Sequence, residues 1–219
     1  MPHTLLLRLM GPMQSWGVSS RFTVRDTGRE PSKSGVVGLL AAALGRPRNA
    51  SIDDLASLRM GVRVDREGRV AMDYHTAKRV YKASGGIKET EVSRRYYLAD
   101  AAFLVGLEGE DLSFLQQLHT ALRRPVWPLF LGRKAFVPGC PVWLPDGLRE
   151  NTSLEKALET YPLLTARSTN GYLRLVVEDP NGTVVRPDRP LSFSERRFAT
   201  RRLRMGFVEA PKAVDEKGG

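Results

Sequence analysis

The order of apolar and polar positions along the chain predicts strands and helices that alternate from residue 4 to about residue 131. Short apolar runs bounded by turn residues are typical of buried strands, and apolar residues at helical spacing are typical of helices. Strands are expected at 4–10, 60–65, 70–74, 101–107 and, as an irregular edge strand, 126–131; helices are expected at 35–44, capped by Ser34, and at 111–122. This order predicts an α+β protein with a ferredoxin-like (RRM-like) βαββαβ domain.

Two segments depart from that pattern. Residues 76–97 are polar and basic, contain Gly85-Gly86 and have tyrosines near both ends, which indicates a hairpin arm that protrudes from the body. From about residue 138 the chain has short strand-like pieces, at 172–178 and 183–185, joined by a predicted hairpin turn. We therefore predict a domain of residues 1–75 and 98–137, an inserted arm at 76–97, and a small β-rich extension at 138–219.

Composition narrows the classes of protein. The chain has 219 residues, of which 42% are hydrophobic, and a formal net charge of +10. The single cysteine, Cys140, excludes an intrachain disulfide and a thiolate zinc site. Without a long apolar run or the cationic start of a signal peptide, the sequence predicts a cytoplasmic protein that does not enter a membrane. We expect no cofactor and no metal, and the positive charge favours a polyanionic partner.

The basic residues are clustered rather than evenly spread, and this favours nucleic-acid binding. One cluster lies near the carboxyl end, and its arginines suit bidentate phosphate contacts. The other covers the predicted arm and is mixed with tyrosines. The residues of the two clusters that we expect to contact nucleic acid are Arg201 and Arg202 in the first, and His75, Lys78, Arg79, Arg94, Arg95 and Tyr96 in the second.

Several shorter motifs are candidates for phosphate or base contacts, each with a simpler alternative. Ser32-Lys33-Ser34 opens a helix, where free backbone N–H groups and Lys33 suit a phosphate; the alternative is a plain cap with a solvent-exposed lysine. Gly132-Arg133-Lys134 lets the backbone approach a phosphate chain, or is a simple turn. Trp16 stacks on a base or fills the core. Arg21 and Arg25 are read as phosphate contacts.

His75 leaves an enzymatic alternative open. A metal-independent ribonuclease needs a base for the 2′-hydroxyl and a cation for the charge that develops on phosphorus. His75 with Lys78 or Lys82 supplies that pair of groups. The alternative is that His75 contacts RNA without cutting it. A general RNA or DNA chaperone is a third, weaker hypothesis.

Four separated blocks carry a resemblance to a known family. They are Leu7-Arg8-Leu9-Met10-Gly11-Pro12-Met13-Gln14-Ser15-Trp16-Gly17, Pro31-Ser32-Lys33-Ser34-Gly35-Val36-Val37-Gly38-Leu39-Leu40, Arg95-Tyr96-Tyr97-Leu98-Ala99-Asp100-Ala101 and Pro128-Leu129-Phe130-Leu131-Gly132-Arg133-Lys134. In order and spacing they resemble the CasD subunits of type I-E CRISPR Cascade complexes, within the RAMP superfamily. The resemblance covers roughly residues 4–145.

This resemblance implies a ferredoxin-like palm with the arm as its thumb, in an antiviral ribonucleoprotein. It implies a subunit without catalytic activity that holds the 5′ handle of a CRISPR RNA and caps the subunit filament. The implied partners are a CasC-type backbone subunit, the large subunit and, through the complex, target DNA. Gln14, Ser15, Trp16, Ser32, Lys33 and Ser34 would line the handle groove, and Arg133 and Lys134 would lie in a loop against RNA. A related protein of a sister subtype cuts repeat RNA, which keeps the ribonuclease alternative open.

Overall fold

The computed structural model describes residues 1–20, 23–165 and 171–211. The strands of this part of the chain are β1 (His3–Met10), β2 (Met13–Gln14), β3 (Val24–Arg25), β4 (Arg59–Arg66), β5 (Arg69–Tyr81), β6 (Ile87–Ala99), β7 (Ala102–Gly109), β8 (Trp143–Arg149), β9 (Tyr172–Glu178), β10 (Val184–Ser192) and β11 (Arg197–Glu209). The helices are α1 (Lys33–Ala43), α2 (Asp53–Ser57), α3 (Leu112–Arg123) and α4 (Leu154–Thr160). No helix in these ranges is long and apolar enough to cross a membrane.

The body is an antiparallel seven-stranded sheet in the order β10-β11-β9-β4-β7-β1-β8. Its central strands are almost continuously buried because both faces are covered. On one face Leu5, Leu7 and Leu9 of β1 pack in the same core as α1 and α3. On the other face Leu6 and Leu104 pack in a smaller core with α4. The protein is therefore α+β, as predicted, and its sheets are mostly antiparallel.

The edge strand predicted at 126–131 is wrong, because that segment contains no strand and β8 occupies the edge beside β1. Pro125 and Pro128 cannot donate to a neighbouring strand. The N–H groups between them are used elsewhere: Val126 donates to the Ala43 carbonyl oxygen at 3.0 Å and Trp127 to that of Ala42 at 3.2 Å. The segment therefore satisfies the carboxyl end of α1 instead of extending the sheet.

The carboxyl-terminal strands were expected to form a small appended sheet, but β9, β10 and β11 continue the main sheet beyond β4. The predicted hairpin between β9 and β10 is also wrong, because β11 lies between these two strands and pairs with both. A turn signal at 179–182 reports a reversal of the chain. It does not show whether the strands on either side pair with each other or with a later strand, as β9 and β10 do with β11.

The predicted hairpin arm is present and longer than expected. β5 pairs with β6 from Arg69↔Ala99 to Tyr81↔Ile87, and β2 and β3 complete a second, four-stranded sheet with them. Gly85 and Gly86 have φ of +88° and +79°, which the turn at the tip requires. We call residues 69–99 the arm. Residues 70–74, predicted as a strand of the body, belong to it.

Shortening the arm should leave the body folded. Every residue from 76 to 90 is at least partly exposed, and none belongs to either hydrophobic core. If Asn-Gly replaces residues 76–92, His75 and Ser93, which pair in the native register, would flank a two-residue turn. We expect the free energy of unfolding to change by less than about 1 kcal/mol. Circular dichroism and thermal unfolding would check this, and loss of cooperative unfolding would show that the outer arm supports the body.

Candidate nucleic-acid interface

Three arginines meet at the root of the arm. β3 runs parallel to β6 with Arg25 opposite Arg95, so the two side chains leave the same face of the small sheet. Arg133 reaches this place from the loop after Leu131, and its Nη2 donates to the Tyr96 carbonyl oxygen at 2.9 Å and the Arg25 carbonyl oxygen at 3.4 Å. We call Arg25, Arg95 and Arg133 the arginine cluster.

The charges of the cluster act on one another. Burial lowers the pKa of Arg133, and the neighbouring guanidinium groups of Arg95 and Arg25 lower it further. Asp73, opposite Arg95 on β5, opposes this effect and so does Asp26. Even so, the Arg133 guanidinium stays charged, since arginine retains its proton throughout the physiological range. Cations held this close together favour a bound anion, and phosphate oxygens match the guanidinium geometry.

The loop that carries Arg133 is fixed by Gly132, which has φ of +87°. A Cβ at this position would lie 1.7 Å from the Ser15 carbonyl oxygen. The Ser15 N–H in turn donates to the Leu131 carbonyl oxygen at 3.1 Å. Glycine is thus needed for the close approach of two chain segments within the protein, and this approach sets the direction in which Arg133 and Lys134 leave the loop.

The outer arm adds exposed cations but does not assemble a catalytic pair. His75 and Lys78 pair with Ser93 and Thr90 in an uninterrupted register, so they leave opposite faces of the hairpin. Lys82 lies in the turn at the tip, where its N–H donates to the Gly86 carbonyl oxygen. His75 has Asp73 as a neighbour, with 3.7 Å between Nδ1 and the carboxylate. The predicted base and its predicted electrophiles are therefore separated.

Known proteins similar to this chain identify its family. A family model described as "CRISPR-associated protein (Cas_Cas5)" matches residues 4–204. The chain belongs to the Cas5 family of CRISPR-associated proteins. It is similar to "CRISPR system Cascade subunit CasD" of Escherichia coli (strain K12), with 36% identity over 172 residues that cover 72% of this chain and 76% of that protein.

Two solved structures resemble this Cas5 chain over nearly its whole length. One, described as "Crystal structure of Cas protein", is 49% identical, with a TM-score of 0.80, and the match covers 95% of this chain and 98% of that one. The other, described as "CRISPR RNA-guided surveillance complex", is 36% identical with a TM-score of 0.78, covering 95% and 91%.

Several residues that the resemblance placed in an RNA groove are instead interior residues of this Cas5 chain. Trp16 is 2% exposed, and its Nε1 donates to Gln14 Oε1 at 3.1 Å. The amide nitrogen of Gln14, itself buried, donates to the Leu9 and Ala101 carbonyl oxygens. Ser15 is also buried. The Gln14 amide thus ties β2 to β1 and to Ala101, just before β7, and all three side chains are buried rather than open to RNA.

The start of α1 is likewise filled from within the protein. Ser32, not Ser34, caps the helix, and its Oγ accepts from the Gly35 N–H at 3.3 Å. The Lys33 N–H donates to the buried Asp188 carboxylate at 2.8 Å, and Lys33 Nζ lies 2.8 Å from Glu178. The expected phosphate position thus holds a carboxylate of this chain. Burial lowers the pKa of Lys33, while Glu178 opposes that shift.

The predicted carboxyl-terminal contacts divide into one buried and one exposed residue. Arg201 is buried against Asp188, with its Nε 2.6 Å from Oδ1. Arg202 is exposed, and its Nη1 donates to the Gly182 carbonyl oxygen at 3.1 Å. Arg21 lies outside the described residues. The exposed candidates that remain are Arg25, His75, Lys78, Arg79, Lys82, Arg94, Lys134 and Arg202. Arg95, Tyr96, Arg133 and Ser34 are partly exposed.

Sequence reasoning missed one surface of the arm. Met72 and Tyr74 on β5 leave the face opposite Arg95 and are exposed, and Val24 lies on the same face beside Arg94. The signal was present in the alternation Val70, Met72, Tyr74, which is typical of a strand with one apolar face. The sequence predicts only a strand of the body at 70–74, whereas this face belongs to the arm and is exposed.

Proposed function

We propose that this Cas5 protein is a non-catalytic RNA-binding subunit of a CRISPR surveillance complex, and that it holds the 5′ repeat-derived handle of the CRISPR RNA. The observation that carries the proposal is the arginine cluster at the root of a protruding arm. Membership of a CRISPR-associated family indicates that this RNA is a CRISPR RNA. Similarity to a Cascade subunit and to a chain of an RNA-guided complex supports the assembly role.

The division of the chain follows from this proposal. We take β1, α1, β4, β7, α3 and β8 as a ferredoxin-like palm, which the order β4-β7-β1-β8 supports. The arm is the thumb, and the strands after α4 are the extension of the palm sheet. Compared with the sequence prediction, the end of the palm moves from residue 137 to the end of β8 at Arg149. The arm grows from 76–97 to 69–99.

The arrangement of the arm supports a role in contacting both RNA and protein. Its cluster face bears Arg25 and Arg95, which suit phosphates, while its other face bears exposed Met72 and Tyr74, which suit an apolar neighbour. We assign a CasC-type backbone subunit and the large subunit as protein partners, with this chain capping the filament. Target DNA is reached through the complex, in the cytoplasm.

Retention of RNA without cleavage is the expected result of a direct test. Purified protein is incubated in chelator with end-labelled CRISPR repeat RNA and, separately, with an unrelated RNA of equal length. We expect preferential binding of repeat RNA that contains the handle, and intact RNA after incubation. The reason is that His75 and Lys78 lie on opposite faces of the arm and cannot act together on one phosphate.

The variant His75→Ala separates the outcomes. A single cut in the repeat that is lost in His75→Ala would establish a metal-independent endoribonuclease and contradict the proposal. Equal binding of both RNAs would instead indicate a general chaperone. Intact RNA, with the wild type and with His75→Ala alike, is the result that the proposal requires.

A further inference from the structure

A groove of about 550 Å³ runs along α1 on the side away from the sheet. Its lining includes small residues of the helix, such as Gly38 and Ala42, together with the aromatic side chains of Trp127, Phe130 and Phe193. A Cβ at Gly38 would lie 3.7 Å from the Phe193 ring, so Phe193 lies over the helix at its glycine. The small helical residues thus leave a space between the aromatic side chains.

The backbone of the aromatic wall is held in place before any ligand arrives. The Trp127 N–H donates to the Ala42 carbonyl oxygen at the end of α1, and Pro128 restricts the backbone of Trp127. Even so, 44% of Trp127 remains exposed. A large apolar ring whose backbone is anchored on a helix end, yet which is half open to solvent, is a ready platform for stacking.

The rim of the groove is basic. Lys134 and Arg48 are exposed and border it, and Arg48 Nε donates to the Phe193 carbonyl oxygen. Arg46 also borders the groove, but Asp54 takes up its charge through two hydrogen bonds. Aromatic rings inside and cations outside select a molecule that is both flat and anionic. A nucleotide of single-stranded RNA has both properties, since its base stacks and its phosphate meets the rim.

The groove and the arginine cluster share one loop. Gly132 and Lys134 line it, while Arg133 between them belongs to the cluster. An RNA strand bound across this loop would lie against both sites. We propose that the groove binds one base of the CRISPR RNA, stacked on Trp127, next to the phosphates held by the cluster. This inference rests on the proposed function and names a base-binding subsite for it.

The test uses handle-containing RNAs with 2-aminopurine at one position each, because the fluorescence of this base falls when it stacks. We expect one position to be quenched by the full-length protein. Trp127→Ala should abolish that quenching and weaken binding about 5- to 150-fold, the range for loss of one base–aromatic stack. Trp127→Phe should retain most of the affinity. Phe207→Ala, an equally drastic change at an exposed aromatic residue of β11, should have no effect.

A second variant tests the space rather than the ring. Gly38→Leu fills the groove and replaces glycine in a helix, so it should keep the fold while reducing binding by a similar factor. If the protein binds handle RNA but both variants leave affinity and quenching unchanged, the groove inference is overturned and the proposed function stands. If the two variants instead cause other subunits to be lost from the purified complex while the quenching stays unchanged, the groove is a protein-docking site. That result would also overturn the groove inference. Absence of any RNA binding would instead refute the proposed function.

Discussion

Lys33→Met is expected to lower the free energy of unfolding by about 3 kcal/mol, the lower end of the range for removing one partner of a buried ion pair. Lys33 is 2% exposed in its side chain, and its Nζ lies 2.8 Å from Glu178. Removal of the ammonium leaves the Glu178 carboxylate with Arg201 at 3.7 Å as its remaining cation. Chemical denaturation measures the loss, and RNA affinity measured under conditions where the variant is folded should equal that of the wild type.

The matched control restores the charge balance. Lys33→Met with Glu178→Gln removes both charges and keeps an acceptor for the Met60 N–H, which bonds to Glu178. This double variant should regain much of the lost stability, because no uncompensated carboxylate remains. A folded Lys33→Met protein of normal stability that has lost RNA affinity would contradict the burial and restore Lys33 as a phosphate contact.

Short-range patterns account for the elements that could be predicted from the sequence. The run 4–10 is β1, and Asp111 caps α3 through a hydrogen bond from the Phe114 N–H at 3.0 Å. The hairpin character of the arm followed from polar residues around Gly85-Gly86. In each of these cases the decisive residues lie within a few positions of one another, so the local sequence contains the physical cause.

Long-range partners explain why the candidate site was less predictable. Lys33 has the local features of a phosphate contact, yet its carboxylate partners lie 145 and 155 positions further along the chain. Residues 126–131 are apolar enough for a strand, but the end of α1 takes up the N–H groups of Val126 and Trp127. Gln14 and Trp16 satisfy each other inside the core. The type of a residue therefore predicts that it requires a hydrogen-bond or ion-pair partner. It does not identify whether that partner lies in the same chain or in a bound molecule.

The same argument separates the arginines that remain available to RNA from those that do not. Arg201 has a buried carboxylate of its own chain, whereas Arg25 is exposed and Arg95 is partly exposed at the root of the arm. Arg133 is partly used within the protein and partly available to RNA. Its guanidinium donates to two carbonyl oxygens and lies 5.4 Å from the centroid of the Phe136 ring. A change at Arg133 therefore alters structure and charge together, and Arg25 and Arg95 give the clearer test.

The double variant Arg25→Gln/Arg95→Gln is expected to weaken handle RNA binding strongly and to change its salt dependence. Each lost charged contact should weaken binding by about 1.5–3 kcal/mol. Each phosphate contact on a single strand makes the negative slope of log affinity against log salt concentration steeper by about 0.7, so the loss of two contacts should make the slope less steep by about 1.4. Titrations at several salt concentrations measure both quantities. Stability should change little, since both side chains lie at the surface of the small sheet.

The control is Arg124→Gln/Lys156→Gln, which removes two positive charges from exposed positions at the end of α3 and on α4. It produces the same net charge without touching the arm. If binding depends on the general field of a basic protein, both double variants will lose affinity equally, and the cluster has no special role. If the cluster holds phosphates, only Arg25→Gln/Arg95→Gln will make the slope less steep. The difference between the two slopes therefore separates a positioned site from net charge alone.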